Sequence, residues 1–214
     1  MQDLVIIGAG GVGREVAWII EQINNVMPTF NILGYVDDNY NLHEDKINGY
    51  KILGGIDYLF NMKSNVSVIC AIANYEVKKS IINKLKLKKF NHPSIIHPDV
   101  YINNTNTVGI GCVIYPGVII TTNIQIGDYV IISSKCGIGH ETVIGNYSSI
   151  LWNVNISGHV KIEEGCLIGS GSTIIQGKSI GRESIVGAGA VVIREVPPNC
   201  ITVGVPARIV KFNT

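Results

Sequence analysis

Two hydrophobic periods divide the chain. Up to about residue 90, apolar positions come in short blocks joined by helical spacing. Leu4 to Ile7 reads as a buried strand. Val12, Val16, Ile19, Ile20 and Ile23 then recur at three- and four-residue intervals, the stripe of an amphipathic helix. Ile32 to Val36 is a second strand, ending at Asp37-Asp38, and Val66 to Ile72 is a third. Val77, Ile81, Ile82 and Leu85 mark another helix. Strands alternating with helices predict a parallel sheet covered by helices.

After His92-Pro93 the period becomes six. Every sixth residue from Ile96 to Val192 is Ile or Val, seventeen positions without a slip. The residue after these positions is Gly at 109, 127, 139, 145, 169, 181 and 187. Four residues after them recur small or branched side chains such as Cys112, Cys136, Thr142, Ser148, Cys166, Ser172, Ser184 and Ala190. A six-residue repeat of this kind predicts a parallel β-helix. Each hexad is one short strand and one corner, and three hexads close a triangular coil of about eighteen residues. The aliphatic residues point inward, and the glycines are expected to serve corners where the backbone geometry is demanding. The predicted domains are 1–90 and 91–214.

Composition narrows the function. Hydrophobic residues make up 46% and charged residues 15%, enough apolar content for packed cores. Seventeen basic against sixteen acidic side chains leave no basic excess for nucleic acid or an anionic membrane. The five cysteines are odd in number and show no CxxC pair, which argues against structural zinc and a disulfide framework. Cys112, Cys136 and Cys166 occupy the small-residue slot and read as core. The amino terminus lacks the charged and long apolar regions of a signal peptide, and no run approaches the roughly 18 apolar residues of a membrane span. A cytoplasmic protein without membrane insertion is expected.

Gly8-Ala9-Gly10-Gly11-Val12-Gly13 fits GxGxxG between a strand and a helix, with Asp37 at the end of the second strand. Alone this points to a dinucleotide fold and an NAD oxidoreductase. About 90 residues are too few for the full double unit, however. The physical content of the motif is a backbone that lets a phosphate approach a helix N-terminus. A nucleotide-sugar diphosphate fits that equally well.

The hexads, the ending Val203-Gly204-Val205-Pro206-Ala207-Arg208 and the nucleotide-type N-terminus together resemble the hexapeptide-repeat bacterial sugar acyltransferases. The nearest types are the sialic acid O-acetyltransferases and the UDP-4-amino-sugar N-acetyltransferases. The resemblance implies a small Rossmann-like domain holding the acceptor sugar, followed by a left-handed β-helix. It also implies a homotrimer with acetyl-CoA in the groove between two prisms. It maps the general base onto His140 and its orienting acid onto Glu141. An amide facing the thioester maps to Gly158, and further coenzyme contacts to Ser149, Ser170 and Ala188. Acceptor contacts map to Gly10, Gly11, Val12, Asp37, Asp38 and Ala73.

The chain departs from the N-acetyltransferase pattern where that branch has Asn at Ser133, His at Ser149 and His at Val12, so hydroxyl and amino acceptors both stay open. Two rivals remain beside the NAD enzyme: a non-catalytic nucleotide-sugar scaffold and a γ-type carbonic anhydrase. The anhydrase needs three histidines, and only His140 and His159 lie in the central coils; no metal is expected. His159, nineteen residues after His140, falls about one coil away and slightly offset. His43, His92 and His97 read as structural or exposed.

Overall fold

The computed structural model describes residues 1–39, 46–62 and 65–213, so His43 lies outside the described residues. The chain divides into two compact units, Met1–Pro98 and Asp99–Thr214.

In the first unit, β1 (Gln2–Ile7), β2 (Phe30–Val36), β4 (Tyr50–Gly54) and β5 (Ser67–Cys70) form a parallel sheet, and β3 (Lys46–Ile47) joins it by an antiparallel hairpin. The strand order is β3-β4-β2-β1-β5. The hairpin was not expected, although Asn48-Gly49 announces it. Both residues have positive φ, 49° and 85°, as a tight turn joining twisted strands requires.

Helix α1 (Gly11–Val26) buries Gly13, Val16, Ala17, Ile19 and Ile20. A Cβ at Gly13 would strike the carbonyl of Gly8, so that glycine lets the helix start close against β1. Helix α2 (Tyr75–Leu85) is capped by Asn74, whose Oδ1 accepts the Val77 amide at 2.9 Å. His97 is 9% exposed, hydrogen-bonded to Gln22 and stacked on Trp18.

The second unit is a parallel β-helix. Two-residue strands recur every six residues and pair with the strands eighteen residues before and after; Gln125–Ile126, for example, lies between Thr107–Val108 and Val143–Ile144. Every sixth residue from Ile114 to Val192 is buried. The stack ends where Cys200–Val203 adds in parallel to Ile185–Val186 and folds back on Arg208–Phe212.

The small-residue slot has a polar purpose. Cys112, Cys136, Thr142, Ser148 and Cys166 are buried, and each donates to the carbonyl fifteen residues ahead, at 3.0, 2.9, 3.2, 3.0 and 3.2 Å. A thiol or hydroxyl there satisfies a corner carbonyl inside the prism. Burial pushes the Cys136 thiol up to about 11 and that of Cys166 up to about 12, so both keep the proton they donate.

The expected reason for the glycines needs correcting. The left-handed corner positions are not those directly after the aliphatic residue but those three after it, at every sixth residue from Gly111 to Gly189. Eight of these fourteen carry side chains, among them Asn123 (φ 58°), Glu141 (55°) and His159 (56°). The glycine directly after the aliphatic residue answers to crowding instead: a Cβ at Gly139 would lie 2.6 Å from the Gly158 nitrogen of the next coil.

Candidate active site and acceptor pocket

In a strand, neighbouring side chains point to opposite faces. His140 and Glu141 escape that alternation because they form a corner. The left-handed backbone of Glu141 directs its amide to Thr122 one coil away, at 3.1 Å, and leaves both side chains outside. Stacking by eighteen residues then builds two columns. Asn123, Glu141 and His159 occupy the left-handed column, and Thr122, His140 and Gly158 the column before it. His159 continues the ladder by donating its amide to the His140 carbonyl at 2.8 Å.

The side chains of these columns meet. Glu141 Oε2 is hydrogen-bonded to His140 Nδ1, and Asn123 Nδ2 donates to Glu141 Oε1 at 2.9 Å. These bonds, Asn123 first and then His140, hold the Glu141 carboxyl below its ordinary value. An ionised carboxylate only accepts, so Nδ1 carries the proton and Nε2 carries the lone pair. The His140 side chain is 47% exposed, so that lone pair is open to a reactant.

Gly158 packs beneath the imidazole, and a Cβ there would land on the ring. The Gly158 amide has no backbone partner among the described residues. His159 lies edge-on to His140, ring centroids 5.0 Å apart, with Nε2 3.9 Å from Glu141 Oε2. The arrangement can deprotonate a nucleophile at Nε2 while stabilising the resulting cation through Glu141.

The structure brings together His140, Glu141 and Gly158, which the sequence reading named, with Asn123, which it did not name, and His159, which it left out of the site. Counting eighteen in both directions from Glu141 finds both. Among the coenzyme positions, Ser170 and Ala188 are exposed on a different corner of the coil, in one column with half-exposed Trp152. Ser149 is enclosed on a strand, 1% exposed, and Ser133 is 6% exposed.

The first unit carries a pocket of about 300 Å³ at the start of α1. Gly10, Gly11, Val12, Asp37 and Asp38 line it, as do Asn39, Ile56, Ala71 and Ile72; Ala73 is not among its lining residues. Space is open where Cβ atoms of Gly10 and Gly11 would stand, and no side chain caps the helix. Asp37 accepts the Ala9 amide at 2.8 Å and the Asn39 amide at 2.9 Å, while Asp38 accepts the Ile56 amide at 2.9 Å. Both acids thus tie pocket loops together. One backbone amide on each oxygen fixes the Asp37 carboxylate beside the start of α1 and leaves it further acceptor capacity.

Residues 3–85 match the PglD N-terminal domain family, and residues 159–194 match the hexapeptide repeat of succinyl-transferase. The GDP-perosamine N-acetyltransferase of Escherichia coli O157:H7 is 32% identical over 213 residues, covering 96% of this chain and 95% of that one. This chain belongs to the hexapeptide-repeat sugar acetyltransferases. Among solved relatives of the family, PerB from Caulobacter crescentus, determined with CoA and GDP-perosamine, superposes with a TM-score of 0.88. It is 26% identical, covering 98% of this chain and 97% of that one. WeeI from Acinetobacter baumannii gives 0.84 at 28% identity, covering 98% and 100%. Family membership supplies the left hand of the β-helix, which ordinary crossover rules do not give. It also sets the acetyltransferase apart from the NAD oxidoreductase and carbonic anhydrase readings. No described helix is long and apolar enough to cross a membrane.

Proposed function

We propose that the protein transfers an acetyl group from acetyl-CoA to the amino group of a sugar carried on a nucleoside diphosphate. The observation that carries this reading is the His140–Glu141 pair, seated over Gly158, in a chain aligned end to end with an amino-sugar acetyltransferase. Bound acetyl-CoA supplies the activated acyl group. The amine nitrogen adds to the thioester carbon as His140 Nε2 takes its proton; the carbon–sulfur bond then breaks, and CoA leaves as the thiol with the proton returned by the His140 imidazolium. Glu141 holds Nδ1–H and stabilises the imidazolium, and Asn123 holds Glu141. The Gly158 amide faces the thioester oxygen, and its missing Cβ gives room for that approach. The diphosphate lies at the start of α1 against the Gly10, Gly11 and Val12 amides, where the helix favours negative charge. Asp37 and Asp38 shape this pocket, and Ala71 and Ile72 close it from the loop after β5. The departures at Ser133 and Ser149 are enclosed positions, which supports retaining an amine acceptor.

The coenzyme residues imply more than one chain. Ser170 and Ala188 stand at a different corner from His140, so a single chain does not bring them together. A neighbouring copy places its Ser170–Ala188 corner beside His140, and three copies close a ring of three sites. Ser149 adds to this coenzyme groove through its strand.

Two assays test the proposal. Purified protein is offered acetyl-CoA with nucleotide-linked amino sugars and with their hydroxyl counterparts. An N-acetylated product is expected, and turnover of hydroxyl acceptors alone overturns the amine reading. Next, His140→Ala and Ala188→Trp chains, each inactive alone, are refolded together in equal amounts. Random mixing leaves about one quarter of shared sites intact, so partial recovery is expected. No recovery, with hybrids verified by mass, would place each site within one chain.

A further inference from the structure

We infer that His140, Glu141 and His159 form a binding site for a divalent transition-metal ion, zinc by preference, and that its occupation switches the enzyme off. A count of histidines alone gives two ligands at this corner. The structure adds a carboxylate as the third: one ligand atom from each residue lies within 4.8 Å of the other two. Two imidazoles and a carboxylate are a donor set that zinc binds with three protein ligands and an open fourth position.

Bonds of about 2.0–2.2 Å around a tetrahedral ion set the ligand atoms about 3.4 Å apart, so His159 must close in from 3.9 Å while His140 and Glu141, now hydrogen-bonded to each other, open to admit the ion. The side chains can do this, because all three reach from the surface and are 47%, 37% and 56% exposed. The backbone beneath them is fixed by the ladder from Thr122 to Glu141 and from His140 to His159. That ladder sets the spacing of the ligands before any ion arrives. The cysteines, stronger zinc ligands, are all buried and offer no alternative site.

A metal held here engages the imidazole of His140 and the carboxylate that supports it. Acetyl transfer then loses its base. Binding follows from the geometry alone, whereas inhibition rests on the proposal that His140 is that base.

The test uses the full-length protein stripped of metal with a chelator, and His159→Asn. Asparagine tolerates the left-handed backbone at 159 and removes one ligand. Zinc binding is measured without CoA, whose thiol would compete, by displacement from a chromophoric chelator. Product is followed separately by chromatography. We expect about one zinc per chain in wild type, at least tenfold weaker binding in His159→Asn, and an upward thermal shift with zinc only in wild type. In metal-free buffer, His159→Asn is expected to turn over within about threefold of wild type and to resist zinc concentrations that silence it. Equal zinc affinity in the two proteins, or no stoichiometric binding, overturns the site. Binding that depends on His159 but leaves turnover intact keeps the site and overturns the role of His140 as base. If His159→Asn misfolds, Co²⁺ absorption bands in wild type decide: tetrahedral bands support the site and their absence refutes it.

Discussion

Replacing Gly158 by alanine separates the chemistry of the corner from its architecture. A Cβ at this position would sit against Cε1, Nε2 and Nδ1 of His140 rather than against backbone. The imidazole is 47% exposed and free to move, so it swings outward and loses its bond to Glu141. Gly158 does not use the left-handed region, so alanine introduces no backbone strain. It also lowers unfolded-chain entropy, worth about 0.4–1 kcal/mol. Stability should therefore hold, with the thermal midpoint within a few degrees of wild type. General-base catalysis contributes about 10²–10⁴ in rate, and kcat should fall by about 100-fold. Gly139→Ala is the control. Its Cβ would lie 2.6 Å from the Gly158 nitrogen and 2.6 Å from the Ser157 carbonyl carbon, both backbone. Forcing coils apart costs roughly 1–3 kcal/mol, so this variant should melt several degrees lower. Steady-state kinetics and differential scanning calorimetry on the two variants decide the matter. A Gly158→Ala enzyme with normal kcat would refute the idea that His140 acts from its place over Gly158.

Asn123→Ala removes the largest cause of the lowered Glu141 value. The folded value lies below the unfolded one of about 4.3, so the stability it contributes is present above the unfolded value and lost as pH falls through the folded one. The variant should melt below wild type at pH 7, and the gap should narrow as acid protonates Glu141 without vanishing, because alanine at the left-handed position 123 also strains the backbone at every pH; thermal melts across pH will show this. The five cysteines should not react with a disulfide reagent at pH 8 in the native protein and should all react in denaturant. They are buried, and burial pushes Cys70 and Cys166 up to about 12 and Cys136 up to about 11.

Much of this molecule is legible because a β-helix converts sequence spacing into space. One coil takes three hexads, so the aliphatic period gives both the fold and the inward face. The adjacent His140 and Glu141 needed no long-range inference. Asn123 and His159 were as accessible, since both lie eighteen residues from Glu141, but counting from His140 gives nineteen to His159 and hides the column. The glycines were harder. A repeat of Gly does not say whether it answers to backbone conformation or to a neighbour, and here the neighbour explains the position after each aliphatic residue. In the first unit, the GxGxxG loop was legible as a glycine-rich turn at the start of a helix, and it walls the pocket there. Asn39 and Ile56 were not, because they reach it through tertiary closure that no local period records.

The corner also shows why an acid rather than a glycine stands at 141. Left-handed backbone costs a residue with a Cβ about 1–2 kcal/mol, and glycine avoids that cost, as at Gly165, Gly171 and Gly177 on later coils. Glu141 bears that cost and keeps a carboxylate against His140. Two substitutions separate these contributions. Glu141→Gln keeps the strain and the reach but loses the charge. Glu141→Gly loses the charge, relieves the strain and gives up the bond to Asn123. Exposed hydrogen bonds contribute about 1 kcal/mol or less, so Glu141→Gly should be no less stable than Glu141→Gln in chemical denaturation. Both should lose at least tenfold in kcat. If Glu141→Gln kept full turnover, the carboxylate would be dispensable and the corner would owe its acid to something other than the base beside it. If Glu141→Gly proved much the weaker fold, the Asn123–Glu141 bond would outweigh the left-handed strain, and the acid would be there to hold the coils together.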